Sequence, residues 1–153
     1  MPNYRVAELG DVGHMAECRL ADPTAGPADE RMADYFAGKH YPQQARPPRI
    51  GYVATADDRI LGYVAGHLTR RYKCDGELQY LFVAPAHRRA GIAGELVSRL
   101  FQWFATQGAY RICVNVEPEN KPARVFYRRW GAKELSRYWY VWPDIRALVR
   151  GAA

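Results

Sequence analysis

At 153 residues the chain is long enough to bury one real core and short for two. With 48% apolar and 25% charged residues it is neither a disordered tail nor a membrane protein: no run approaches the roughly 20 apolar residues of a span, and MPNYRVAEL lacks the apolar stretch of a signal peptide, so a cytoplasmic location is expected. Cys18, Cys74 and Cys113 are odd in number and form no C-x-x-C pair, which argues against a disulfide framework and a zinc site, while a formal charge of +6 suits an anionic partner without saying which.

Tyr4 to Glu8 alternates polar and apolar residues as a short strand does, and Asp11 stands where it can cap a helix carrying Val12, Met15, Ala16 and Leu20 on one face. Asp22 to Pro48 is rich in Pro, Gly and Ala. It reads as a short helix around Asp29 to Gly38, then a long loop through Tyr41, Pro42, Pro47 and Pro48. Ile50 to Ala56 and Ile60 to Thr69 read as strands joined by a hairpin turn at Asp57 and Asp58, and Glu77 to Val83 as a third strand stopped by Pro85. From Ile92 the period changes: Leu96, Val97, Leu100, Phe101 and Phe104 fall on one helical face, with Gly108 available to end it. Arg111 to Val116 is a short strand. A second helix runs from about Asn120 to Trp130, with Pro122 in its first turn and Gly131 past its end, and a last strand runs near Glu134 to Trp142. The order predicts one domain, residues 1–153, of the α/β class, its sheet antiparallel in the first half and crossed by helices in the second.

The stretch ELQYLFVAPAHRRAGIAGEL carries the chemistry, because a strand ends at Pro85 and a basic, glycine-containing turn leads straight into a helix. Such a turn presents free N–H groups at the positive end of the helix dipole, where phosphate oxygens bind. Gly91 removes the Cβ that keeps an anion from the backbone, and Arg88 and Arg89 add charge. Neither G-x-G-x-x-G nor G-K-[ST] is present, which excludes the two commonest phosphate loops.

Leu81, Val83 and Pro85 followed by Arg88, Arg89, Ala90, Gly91, Ile92 and Ala93 resemble the [QR]-x-x-G-x-[GA] signature of the GNAT family of N-acetyltransferases, with the strand that precedes it. One strand and one helix downstream, Asn120, Ala123, Phe126, Tyr127, Gly131 and Ala132 match that family's second signature, N-x-x-A-x-x-[FY]-Y-x-x-x-G-[FA]. The resemblance covers about Ile50 to Ala132, and the first fifty residues by element order alone. It implies a mixed, mostly antiparallel sheet flanked by helices and splayed in the middle to admit the cofactor, with acetyl-CoA as cosubstrate and no metal.

By resemblance, main-chain groups of Phe82 and Val83 pair with the pantetheine arm, and Arg88, Arg89, Gly91, Ile92, Ala93 and Gly94 surround the diphosphate. Asn120 either touches the cofactor or simply caps its helix. Tyr127 is the family's candidate acid at the departing thiolate; the alternative is a core aromatic beside Ala123 and Trp130. Glu77 is the candidate base for an ammonium that must lose a proton at a cost of roughly 4 to 5 kcal/mol at pH 7, or else an exposed strand-end carboxylate. Asp75, Glu117 and His67 are weaker candidates, and Cys113, with no His partner in sight, reads as core rather than nucleophile.

The acceptor, an amine on a small molecule or protein, would meet the segment that holds Asp22, Asp29, Glu30 and Asp34 with Tyr35 and Tyr41, which reads equally as a solvated helix face. Tyr138, Tyr140 and Trp142, beside Trp139, either line the site, pack the core or form a homodimer contact. Two other functions compete: an acyl-CoA sensor without turnover, and a nucleic-acid module using the basic clusters, disfavoured by the absence of a recognised motif.

Overall fold

The computed structural model describes residues 1–20, 22, 24–25 and 31–149. Seven strands form one mixed sheet in the order β1-β2-β3-β4-β5-β7-β6: β1 Asn3–Val6, β2 Ala45–Ala56, β3 Arg59–Thr69, β4 Gly76–Val83, β5 Ile112–Asn115, β6 Lys133–Ser136 and β7 Trp139–Trp142. All neighbours are antiparallel except β4 and β5. Among the described residues four α-helices accompany them, α1 Val12–Leu20, α2 Met32–Ala37, α3 Ile92–Thr106 and α4 Lys121–Arg129. Among the described residues no helix is long and apolar enough to cross a membrane.

The helix α3 forms where the period predicted it, and Ile92, Leu96, Val97, Leu100, Phe101 and Phe104 are all buried. Each such side chain contributes about 1.5–3 kcal/mol relative to exposure, which is why this face anchors the larger core together with Val64, Leu78, Ile112 and Trp142. A smaller cluster, Met15, Cys18, Met32, Val53, Tyr63 and Phe82, fills the opposite face under α1 and α2. The α3 face demands close approach: a Cβ at Gly66 would stand 2.8 Å from the Glu77 carbonyl oxygen and 2.9 Å from the Phe104 ring. The turn at Asp57 and Asp58 forms, both residues taking positive φ, the backbone that a tight hairpin needs and that Asp tolerates.

Three expectations are corrected. Leu20 is exposed while Cys18 takes the inward position on α1, because the helical face that meets the sheet passes through Met15 and Cys18, a spacing of three. The loop expected through Pro48 is shorter, since β2 already begins at Ala45 and carries Pro47 and Pro48 at an irregularity between Arg46 and Arg49; there the ladder skips, so the missing proline N–H groups cost nothing. The last strand is two, β6 and β7, paired antiparallel across a turn. Of the helix expected from Asp29, the described part is α2, ending at Gly38 with φ +79; Asp29 and Glu30 lie outside the described residues.

Candidate active site

The strand β4 changes partners halfway. It pairs with β5 only from Gly76 to Leu78, and opposite β3 the register shifts between Ala65 and Gly66, leaving Gln79 as one extra residue on β4. An inserted residue bends its strand, and beyond it Tyr80 to Val83 run on beside β3 without β5. The sheet therefore opens between the two strands.

Antiparallel pairing alternates residues whose N–H and C=O face the partner with residues whose groups face away. Ala84 donates its N–H to the Leu61 carbonyl at 2.8 Å, so Phe82 turns its main-chain groups toward Tyr63, while Leu81 and Val83 turn theirs toward the opening. Of the two residues expected to pair with a cofactor arm, Val83 turns its main chain toward the opening, as Leu81 does, whereas the register turns that of Phe82 toward β3. The Val83 carbonyl also accepts Arg88 Nε at 2.9 Å.

The turn after β4 reaches α3 through two left-handed residues, Arg89 at φ +65 and Gly91 at φ +80. No side chain caps the helix at Gly91, and a Cβ built there would meet nothing within 4 Å. The first backbone bond of the helix runs from Glu95 N–H to the Gly91 carbonyl at 3.1 Å, so the N–H groups of Ile92, Ala93 and Gly94 have no acceptor within it. The Ile92 side chain, 2% exposed, belongs to the core; only its amide belongs to the turn. Gly94 is also where α3 meets α4, for a Cβ there would stand 3.2 Å from the Trp130 ring.

Arg88 is committed elsewhere. Its Nη2 lies 2.6 Å from Asp22 Oδ2, and its guanidinium sits 5.4 Å from the Phe82 ring centroid. Hydrogen bonds from Thr24 and from Arg88 hold the Asp22 carboxyl down at about 2. The Arg88 guanidinium is thus engaged by Val83, Asp22 and Phe82, and Asp22 is already neutralised rather than waiting for a cationic amine. The charge was visible in sequence; its partner 66 residues away was not. Arg89 stays exposed. Asn120 accepts the Ala123 N–H at 3.2 Å, which is the cap alternative.

Tyr127 is 6% exposed, its ring perpendicular to Trp142 with centroids 5.5 Å apart. Burial raises its phenol well above the ordinary range, which keeps it a neutral donor. The ring is part of the core, and the hydroxyl has no hydrogen bond to a described residue.

Glu77 is not the exposed strand-end carboxylate of the alternative reading. It is 4% exposed, and burial pushes its carboxyl from 4.5 up to about 7, with Arg71 pulling the other way. Arg71 Nε donates to Glu77 Oε1 at 3.2 Å, and the same guanidinium lies 4.6 Å from the centroid of Trp139. His67, its register partner on β3, places Nε2 3.8 Å from the same oxygen, while Nδ1 meets the Tyr35 hydroxyl at 2.9 Å. Burial, then Arg71 and Arg49, lower His67 to about 4, so it is neutral at pH 7. Its Nε2 is buried without a hydrogen-bond partner among the described residues. Arg71 as the partner of Glu77 and Tyr35 as the partner of His67 were missed; no spacing rule connects these positions, and only the β3–β4 register sets His67 beside Glu77.

The other candidates separate. Asp75 accepts the N–H groups of Tyr110 and Arg111, both at 3.0 Å, and so ties a loop rather than serving as a base. Glu117 is exposed. Cys113 is fully buried against Cys74, Val141 and Trp139, as its core reading expected. Tyr140 and Trp142 are buried, and Tyr138 is exposed. Tyr35 is buried and bonded to His67 in the Glu77 network, while Tyr41 is half exposed. Two hollows are present near these groups: one of about 360 Å³ between Val6, Phe36, Arg49 and Gly51, and one of about 230 Å³ beside Arg71.

The sequence pattern described as the acetyltransferase (GNAT) family matches residues 15–132. An uncharacterised N-acetyltransferase of Mycobacterium tuberculosis is 33% identical over 87 residues, 57% of this chain and 54% of that protein; the chain thus spans about half the length of the curated relatives it matches. Among solved structures, a GNAT-family acetyltransferase of Staphylococcus aureus superposes with a TM-score of 0.74 at 15% identity, covering 92% of this chain and 98% of that one. The PaiA N-acetyltransferase of Thermoplasma acidophilum, solved in complex with coenzyme A, superposes with a TM-score of 0.67 at 16% identity over 92% and 96% of the two chains. At such identities the likeness is one of fold.

Proposed function

Because the chain belongs to the acetyltransferase (GNAT) family, we propose that it transfers an acetyl group from acetyl-CoA to a primary amine by direct attack. The observation that carries this reading is the opening between β4 and β5 next to the uncapped start of α3. An extended pantetheine arm would use the main-chain groups that Leu81 and Val83 turn toward the opening as an added strand, sharing the Val83 carbonyl with Arg88. The amides of Ile92, Ala93 and Gly94, with Gly91 leaving room, would take the diphosphate at the positive helix end. Arg89 is the side chain free to join them, and Asn120 serves as a cap that shapes the start of α4.

Glu77 is the base in this reading. Its carboxyl near 7 is close to the ideal for taking a proton from an ammonium at neutral pH, and Arg71 keeps the ionised form from becoming too costly. The nitrogen lone pair then attacks the thioester carbonyl carbon; the C–N bond forms, the C–S bond breaks and the thiolate leaves. Tyr127, held neutral by burial, would donate a hydrogen bond to that sulfur, and a phenol raised this far stabilises the thiolate better than it protonates it. The remaining ammonium-derived proton goes to the sulfur through solvent.

Thiol release on mixing acetyl-CoA with a panel of amines tests the proposal, and calorimetry with acetyl-CoA separates it from its rivals. Tight acetyl-CoA binding with no thiol release from any amine would make the chain a sensor. No binding at millimolar concentration would sink the assignment of the opening itself.

A further inference from the structure

Resting on the transfer reading above, we propose that the acceptor is a primary amine that also carries a carboxylate, and that the carboxylate docks at Arg70 and Arg71. The hollow of about 230 Å³ is lined by Gln43, Gln44, Arg70, Arg71 and Tyr72. It is a built site. Arg70 N–H donates to the Gln44 carbonyl at 3.2 Å, and Thr69 Oγ1 donates to the same oxygen at 3.2 Å. Arg71 Nη2 reaches the Gln43 carbonyl at 2.7 Å, and Arg71 N–H is held by Thr69 Oγ1 at 3.1 Å. The residues 43–44 are thus pinned to the end of β3 before anything binds.

One guanidinium joins the hollow to the base. Arg71 lines the hollow, donates to Glu77 and stacks on Trp139, so a ligand there lies one side chain away from the carboxyl that would deprotonate the amine. The charges are unbalanced. Glu77 matches Arg71, but Arg70 has no ion pair or hydrogen bond from its side chain to a described residue, and Lys73 adds a second exposed cation. Asp75, the adjacent acid, has its carboxylate spent on two backbone amides. A polycation entering here meets net repulsion. A carboxylate meets the uncommitted guanidinium of Arg70, a forked donor that matches its geometry, with Gln43 and Gln44 also lining the hollow. Of the acids weighed as partners for a cationic amine, Asp22 is bound to Arg88, while Asp34 is exposed, as on a solvated helix face.

The test uses the ω-amino acids from glycine to 6-aminohexanoate, each against its own primary amide, with spermidine as the cationic extreme. Thiol release is measured for the wild type and Arg70→Gln, and calorimetry follows the same compounds with coenzyme A present. At one spacer length the carboxylate is expected to exceed its amide at least tenfold in kcat/KM, with that ratio collapsing toward one in R70Q. Equal turnover of acid and amide, or preference for spermidine, unaffected by R70Q, overturns the carboxylate site and leaves the transfer reading intact. Carboxylate binding that R70Q weakens, without thiol release from any amine, keeps the site and removes the transfer reading. Neither binding nor turnover removes both.

Discussion

Replacing Glu77 by Gln isolates the feature on which the proposed chemistry turns, a carboxyl that the fold holds near neutrality. Gln preserves size and still offers Oε1 to Arg71 Nε, so the change is chiefly one of charge. A general base contributes about 10²–10⁴ in rate, and kcat/KM for the acceptor should fall by at least ~10². The wild-type kcat/KM should rise with pH through an inflection near 7, and the variant should lose that inflection. Stability should move the other way. A carboxyl raised from 4.5 to about 7 favours the folded state fully below pH 4.5 and loses that advantage as pH rises to 7, levelling at a cost of roughly 3 kcal/mol. E77Q should therefore gain up to about 3 kcal/mol on the wild type between pH 4.5 and pH 8, read from urea midpoints at the two pH values. The comparison with the wild type is essential, because His67, lowered to about 4, contributes stability that is present above pH 6.5 and lost as pH falls toward 4, which nearly cancels the Glu77 slope. A pH-independent difference between the two proteins, together with a surviving inflection near 7, would refute the reasoning.

Three further substitutions probe separate parts. Tyr127→Phe keeps the ring against Trp142 and removes only the hydroxyl: turnover should drop about tenfold or more, with acetyl-CoA affinity by calorimetry within about twofold, and a large loss of affinity would make the residue purely structural. Gly91→Asp puts a carboxylate at the open start of α3, at a φ of +80 that costs about 1 kcal/mol for an aspartate; circular dichroism should stay native while acetyl-CoA affinity falls at least ~100-fold, and retained affinity would mean that the diphosphate sits elsewhere. Gly66→Ala drives a methyl to 2.8 Å from the Glu77 carbonyl oxygen, and should destabilise the fold by about 1–3 kcal/mol in urea unfolding; an unchanged midpoint would mean that β3 and β4 yield more easily than their packing implies.

What the sequence displayed and what it hid follow from the range of the forces involved. The helices α3 and α4, the hairpin at Asp57 and Asp58 and the turn at Gly91 are set by local chemistry, period, caps and positive φ, and were legible. The commitments of charged groups were not, because they join distant positions: Arg88 to Asp22, Arg71 to Glu77, and His67 to both Tyr35 and Glu77. Arginine pairs in a sequence announce charge without announcing which of them is already neutralised. The start of β2 was hidden for a different reason, since prolines that break a ladder are tolerated where the ladder is already irregular.

The extra residue at Gln79 is the step that links these observations. Strict alternation along Glu77 to Val83 would put Glu77 on the face of Leu81 and Val83, against the apolar core of α3, where an ionisable carboxyl has no partner and a cost of several kcal/mol. The bulge shifts the phase by one. Tyr80 and Phe82 join the face of Glu77, with Tyr35 packed edge-on to Tyr80, while Leu78, Leu81 and Val83 share the α3 core. The same insertion bends β4 at the point where β5 lets go. One unpaired residue thus both keeps a titratable group among polar partners and opens the main chain that a cofactor arm would use. Deleting Gln79 should therefore remove acetyl-CoA binding and the ionisation near pH 7 together; loss of one without the other, in a chain that still folds by circular dichroism, would show that the two have separate origins.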